Sequence, residues 1–264
     1  MTKRRLGQNF LFDPSILKRI ISFSGITPDD TVVEIGPGHG TLTAMLARAA
    51  MKVIAVELDS GLYERLKEKL VGFGNIELVN ADALKYDFGE VGDFKVVANI
   101  PYYITTPIIF RLIEQREHLK SMTLMVQKEV AERIAAKYGC KEYGVLSIMI
   151  QYYCSVKLCF IVPAGAFRPA PKVDSAVIHM EILDKPGVEV HDEDTFFRIV
   201  RTVFSQRRKM LSNSFKPLTG DIDASDILTS AGIDPRRRPE TLSIEEFARL
   251  SDVISPLHKR VGQI

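Results

Sequence analysis

The chain has 264 residues, enough for one large hydrophobic core and a smaller appendage. Its composition of 46% hydrophobic and 26% charged residues, with a formal net charge of +2, excludes disordered, fibrous and strongly polyanionic classes. Three cysteines (Cys140, Cys154 and Cys159) without a C-x-x-C pair exclude a disulfide framework or a zinc ribbon, so a reducing, cytoplasmic setting without a metal is expected.

In chain order, the first segment is basic (Lys3-Arg4-Arg5), and no apolar signal core follows it. A β-branched strand near 31–36 runs into three glycines, Gly36, Gly38 and Gly40, and then into a helical stretch near 40–50. Glycines at a strand-to-helix turn let the backbone approach a ligand closely, the usual place for a nucleotide-like cofactor in an open α/β sheet. The spacing is G-x-G-x-G, not the G-x-G-x-x-G of the dinucleotide fingerprint, which disfavours an NAD-dependent oxidoreductase. A strand near 52–58 ends at Glu57, placed to accept from ribose hydroxyls, and a helix is expected near 60–70. A third strand, 76–80, leads to Asp82, placed to accept from an adenine amino group.

The strand near 95–100 ends in Asn99-Ile100-Pro101-Tyr102. An amide, a spacer, a proline and an aromatic at a strand end can grip a flat, weakly nucleophilic amino group. The Asn99 side-chain oxygen and the Ile100 carbonyl accept its two N–H bonds, Pro101 stiffens the turn, and Tyr102 stacks on the heterocycle. A structural reading of the tetrapeptide alone is a strand end capped by an Asn–Pro turn. Together, the glycine loop, Glu57, Asp82 and Asn99 at four successive strand ends favour an adenosine-bearing cofactor.

Helices near 105–118 and 128–137 flank a strand at 121–127, and this βαβα order predicts a mostly parallel sheet covered on both faces. The apolar stretch Val145 to Ala164 is interrupted by Gln151 and Lys157 and reads as two buried elements, not a membrane span. Alternation over 156–162 and 173–182 suggests a closing antiparallel pair. After the Pro186-Gly187 turn, strand signals stop. Short helices are expected at 192–205, 207–216, 224–231 and 243–254, the last opened by Ser243 with Glu246 three residues on. The expected domains are therefore 1–184 and a helical 185–264.

Charge in the C-terminal part is balanced overall but locally striped. Residues 198–216 carry Arg207, Arg208 and Lys209 among six basic groups and no acid, and Arg236-Arg237-Arg238 forms a second cluster. Such stripes suit a phosphate backbone, although a lone cluster is more often a solvated helix surface.

The blocks Leu6-Gly7-Gln8-Asn9-Phe10-Leu11, Asn99 to Tyr102, Phe167-Arg168-Pro169-Ala170-Pro171-Lys172-Val173-Asp174-Ser175, Phe204 to Asn213 and Arg238 to Phe247 resemble the small-subunit rRNA adenine N6,N6-dimethyltransferase family over nearly the whole chain. The resemblance implies a Rossmann-like class I S-adenosylmethionine-dependent methyltransferase: α/β, with a mostly parallel seven-stranded sheet plus a small C-terminal all-α domain. It implies cofactor contacts from Asn9, Leu11, Gly36, Gly38, Gly40, Glu57, Leu58, Asp82, Ala83 and Asn99, with residues 1–11 closing over the cofactor. Phe167 becomes the partner of Tyr102 across the target base. Arg207, Arg208, Lys209, Arg236 and Arg237 become RNA contacts. The implied substrate is two adjacent adenosines in a hairpin loop near the 3′ end of small-subunit rRNA, in the 30S particle or its precursor, acted on by a monomer. Ile100 and Tyr103 depart from the family's common Leu and polar residue, and Tyr103 sits where it would change the pocket rim.

Other readings share parts of this pattern. A large-subunit rRNA adenine N6-methyltransferase of the antibiotic-resistance type shares the fold and the Asn-x-Pro-Tyr site. A protein-glutamine methyltransferase also grips an amide with such a turn, but leaves the basic helices unexplained. A chiefly structural ribosome-assembly factor would not need an intact Asn99.

Overall fold

The computed structural model describes residues 9–261, with side chains described through residue 255. Lys3-Arg4-Arg5 and the first part of the N-terminal block lie outside the described residues. The elements in order are β1 (Phe10–Leu11), α1 (Pro14–Ser24), β2 (Thr31–Ile35), α2 (Thr41–Leu46), β3 (Lys52–Glu57), α3 (Ser60–Lys69), β4 (Ile76–Asn80) and β5 (Phe94–Asn99). Next come α4 (Thr105–Ile113), β6 (Leu119–Gln127), α5 (Lys128–Ala135), α6 (Val145–Tyr153), β7 (Cys154–Val162), β8 (Phe167–Arg168) and β9 (Ser175–Ile182). The helices α7 (Glu193–Ser205), α8 (Leu211–Ser214), α9 (Ala224–Ser230) and α10 (Ile244–Val261) complete the chain.

Seven strands form one sheet in the order β4-β3-β2-β5-β6-β9-β7. β2 pairs in parallel with both β3 and β5, β4 with β3, and β6 with β5, whereas β9 runs antiparallel to β6. The near-continuous burial of β2 and β3 is what a parallel strand covered on both faces requires. Successive strands step away from β2 in one direction through β4, and then β5 returns to its other side. That reversal opens a crevice beyond the carboxyl ends of β2 and β5, where ligands bind in open α/β sheets.

Local chemistry sets the helix limits. Periodicity assigns nothing to 14–24, yet α1 forms there because Asp13 accepts from the Ser15 amide at 2.8 Å, Pro14 suits the first helical position, and Gly25 closes the helix with φ 60°. α2 ends before the expected residue 50, since the Asn75 side-chain amide donates to the Ala47 and Ala50 carbonyls at 2.8 and 3.1 Å and holds the chain in a turn. In 207–216 only Leu211–Ser214 are α-helical. The Leu211 and Ser212 amides there donate to the Arg237 and Pro235 carbonyls instead. The expected cap of the last helix is present in full: the Glu246 amide donates to Ser243 Oγ, and the Ser243 amide to Glu246 Oε2.

The chain forms two compact units. One runs through Ala131 and resumes over Ser155–Ile182; the other comprises Glu132–Cys154 and the chain from Leu183 onward. The chain thus passes between the units three times, after Ala131, Cys154 and Ile182, where a single division at 184 is expected. Residues 132–154 join the helical unit because Tyr143, Ile148 and Tyr152 are buried in the same cluster as Phe196, Val200 and Phe247. Backbone bonds from Leu183 to Tyr153 and from Gly187 to Tyr152 fix the join. No helix among the described residues is long and apolar enough to cross a membrane.

Candidate active site

A cavity of about 510 Å³ lies in the sheet-bearing unit, lined by the loops that follow β2, β3, β4 and β5 and by the β1 and β8 segments. It is large enough for a nucleoside-sized ligand. Its first wall is the glycine loop. Gly38 has φ +58°, and a Cβ there would meet the Phe10 ring at 2.9 Å. The Phe10 ring in turn lies 4.0 Å, centroid to centroid, from His39. Gly40 is not a wall residue: it caps α2 with φ +72°, and a Cβ there would meet Leu66 at 2.7 Å. The position is held by packing against α3.

Glu57, at the end of β3, is buried. Its Oε2 accepts from the Gly38 amide at 3.2 Å and its Oε1 from the Asp59 amide at 2.9 Å, so the carboxylate fixes the glycine loop and the start of α3 together. Burial pushes its carboxyl above the usual range, against the opposing effect of those amides. Leu58, half exposed, and Ala83 and Asp82, beyond β4, line the same cavity; Asp82 accepts from the Leu84 amide at 3.0 Å.

β5 delivers Asn99 to the opposite side. Its Nδ2 donates to the Asn9 carbonyl at 3.4 Å, leaving Oδ1 as the acceptor directed elsewhere. Ile100 is buried and donates its amide to Met125, while Pro101 takes φ −55° and opens a short turn through Tyr102. The Tyr102 hydroxyl shares a 2.7 Å hydrogen bond with Ser175 at the start of β9, which fixes the ring plane. Tyr103 lines the cavity at 56% exposure, and the charges of Asp82 and Glu57 act on its hydroxyl after burial, which places it on the acidic side of the rim.

β1 and β8 form a separate two-stranded antiparallel sheet pairing Phe10 with Arg168 and Leu11 with Phe167. Asn9, Leu11 and Phe167 thereby reach the cavity lining. Phe167 is only 2% exposed and packs in the cluster of Leu17, Val97 and Val177, so it forms a wall and offers little free ring face.

Among the lining residues to which the sequence reading gives no role are Glu34, Phe12 and Arg168. Glu34 is the one acid inside the buried β2, and its Oε2 lacks a hydrogen-bond partner. Burial, reinforced by the Glu57 charge, raises its carboxyl to about 8. An acid interrupting an apolar run just before the glycines is the signal that marks it.

The basic residues separate in the helical unit. Arg208 and Lys209 are exposed and make no ion pair among the described residues. Arg207 lies 3.7 Å from Glu240 and donates to the Cys140 carbonyl, and the exposed Arg236 pairs with Asp234 at 3.0 Å. Arg237 does not present a free guanidinium. It donates to both Glu246 oxygens and to the Thr241 carbonyl and hydroxyl, tying its loop to the cap of α10. Of the five arginines and lysines expected to meet RNA, it is the one most engaged within the protein.

The family of ribosomal RNA adenine dimethylases matches residues 1–255. The chain is 50% identical over 256 residues to the ribosomal RNA small subunit methyltransferase A of Clostridium botulinum (strain Langeland), covering 95% of this chain and 93% of that one. It is 49% identical over 270 residues to the protein of the same name from Bacillus cereus (strain B4264), covering 97% and 92%. The crystal structure of a dimethyladenosine transferase from Plasmodium falciparum superposes with a TM-score of 0.80 at 31% identity, over 91% of this chain and 95% of that chain. That of the 23S rRNA methyltransferase ErmE gives 0.76 at 28% identity, over 93% and 99%. The fold is thus common to enzymes named for either ribosomal subunit, while half-identity over more than nine-tenths of both chains is found with those named for the small subunit. The chain belongs to the ribosomal RNA adenine dimethylase family.

Proposed function

We propose that this protein dimethylates the N6 amines of two adjacent adenosines in a hairpin loop near the 3′ end of small-subunit rRNA, using S-adenosylmethionine. The observation that carries the proposal is one cavity bounded by the Gly36–Gly38 loop and Glu57 on one side and by Asn99 to Tyr102 on the other. The lining fits the cofactor: a glycine edge without Cβ atoms, Glu57 for ribose hydroxyls, Asp82 for an adenine amine, and Asn9, Leu11, Leu58 and Ala83 around them. When bound, S-adenosylmethionine supplies a methyl group already activated by a positively charged sulfur.

The protein's part is to hold the amine in line. Asn99 Oδ1 and the Ile100 carbonyl accept the two N–H bonds, which returns electron density to nitrogen and stabilises the positive charge that develops there. Tyr102, fixed through Ser175, stacks on the base, and Phe167 backs the wall behind it. Orientation of this kind supplies about 7–11 kcal/mol of the barrier when geometry is near attack. A paired adenine hides N6, so the substrate is an unpaired or flipped base. The second methylation requires the monomethylamine to turn so that its remaining N–H meets an acceptor.

Arg207, Arg208, Lys209 and Arg236 are proposed to hold phosphates of the 30S particle or its precursor, with the protein acting as a cytoplasmic monomer in small-subunit biogenesis. The decisive experiment incubates the protein with labelled S-adenosylmethionine and undermethylated 30S subunits and maps the modified nucleotides. Dimethyladenosine at two adjacent positions near the 3′ end is expected, with single-turnover transfer at least ~10²-fold slower for Asn99→Ala. Transfer only to large-subunit rRNA, or an Asn99→Ala variant equal to wild type, would overturn it.

A further inference from the structure

The mouth of the cavity carries two residues that the catalytic reading does not use. Phe12 lines the cavity yet is 47% exposed, a large apolar ring left in water. Its amide donates to the Ala166 carbonyl at 3.3 Å, so the ring is held beside the β1–β8 pair and not on a loose tip. The Arg168 guanidinium carbon stands 4.6 Å from the Phe12 ring centroid. Arg168 is exposed, and among the described residues no carboxylate lies within ion-pair distance of it.

The charge pattern of the lining gives this pair its meaning. Glu34, Glu57 and Asp82 line the cavity, and Arg168 is the one lysine or arginine among the described lining residues. A polynucleotide that offers a base to the interior must keep its phosphates away from those acids. The site where cavity, solvent and a cation without an ion pair among the described residues meet is Arg168. An aromatic ring beside a guanidinium is also the pairing that single-stranded nucleic acid uses, with a base on the ring and a phosphate on the cation.

The geometry points to Phe12 and Arg168 as a shelf for a nucleotide adjacent to the target adenosine, with its base stacked on Phe12 and its phosphate held by Arg168. This rests on the proposed RNA substrate and deepens it: the protein grips a neighbour of the reacting base at the cavity mouth in addition to the base inside. The chemistry excludes a free nucleoside as an equivalent substrate, since the nucleoside brings neither phosphate nor neighbour. A ligand carboxylate is the competing anion for Arg168, and the test separates the two.

The test uses the full chain as wild type, Phe12→Leu, Arg168→Gln and Arg168→Lys. Substrate is a hairpin RNA carrying the two adenosines, with 2-aminopurine at the flanking positions in turn. Wild type is expected to quench the fluorophore at one flanking position and to methylate the hairpin. Phe12→Leu should lose that quenching and bind the RNA about tenfold more weakly. Arg168→Gln should lower the salt slope of RNA binding by about one unit, and Arg168→Lys should restore it. Affinity for S-adenosylmethionine, measured by calorimetry, should be unchanged in all three.

A wild-type protein that transfers no methyl to this RNA or to undermethylated subunits would sink the proposed function itself. If wild type transfers methyl while the variants keep wild-type quenching and salt slope, the shelf is wrong and the function stands. If Arg168→Gln weakens S-adenosylmethionine binding and leaves the RNA salt slope intact, Arg168 serves the cofactor and the shelf is equally refuted.

Discussion

Glu34→Gln should remove a large part of the stability that wild type loses as pH rises through neutrality. In the folded protein the Glu34 carboxyl is raised to about 8 from an ordinary value of 4.5, first by burial and then by the charge of Glu57. Between those values the unfolded chain has lost a proton that the native state keeps, so stability falls as pH rises. The cost is absent below the ordinary value, grows through neutrality, and is complete once pH passes the folded value. At 1.36 kcal/mol per unit, the full effect is about 5 kcal/mol, of which about 3–4 kcal/mol develops between pH 5 and 8. Glutamine keeps the shape and cannot ionise. The chain contains no tryptophan, so urea unfolding is best followed by far-UV circular dichroism at several pH values. The variant should gain on wild type as pH rises, with the difference widening by that amount. Parallel stability curves, separated by a constant offset, would show that Glu34 is ionised throughout and refute the reasoning.

Glu57→Ala should weaken S-adenosylmethionine binding by about 1.5–3 kcal/mol through loss of a charge-assisted bond; unchanged affinity in calorimetry would remove Glu57 from the site. Gly38→Ala forces a Cβ to 2.9 Å from Phe10 at a positive φ, so it should displace β1 and lower cofactor affinity at least tenfold, with Gly72→Ala, whose Cβ meets open space, as the neutral control. Arg237→Ala should act on folding: breaking its pair with Glu246, at 30% and 18% side-chain exposure, should cost about 1–3 kcal/mol in urea unfolding. Equal stability would return Arg237 to the RNA surface. Arg208→Ala with Lys209→Ala should instead leave stability intact and flatten the salt dependence of subunit binding by about two slope units, read from binding curves at several salt concentrations.

What the sequence makes legible is what depends on local patterns. The β-branched runs, the three glycines and the acids that follow successive strands mark the sheet and its crevice because each strand's burial and each turn's backbone need are written in adjacent residues. The Ser243–Glu246 cap is legible for the same reason. Long-range partnerships are not. Arg237 reads as one of three surface arginines until Glu246 is found beside it. The segment 132–154 reads as part of the sheet domain until Tyr143 and Tyr152 are found in the helical core. Gly40 matches the loop motif, yet its constraint comes from Leu66, a residue of α3. Phe12 has no periodic partner, and its place at the cavity mouth follows only from the pairing of two segments far apart in the chain.

That small pairing has a mechanical side. The β1–β8 ribbon joins Phe10 to Arg168 and Leu11 to Phe167, and it belongs to neither edge of the seven-stranded sheet. Two residue pairs are too few for independent stability, so the ribbon holds its form through what its side chains cover: the glycine loop under Phe10 and the apolar cluster around Phe167. Loosening the strand that carries Phe10 and Leu11, with Asn9 just before it, therefore slackens the strand that carries Phe167 and Arg168. The two banks of the entrance are stitched into one fabric, and neither can be opened without pulling the thread of the other.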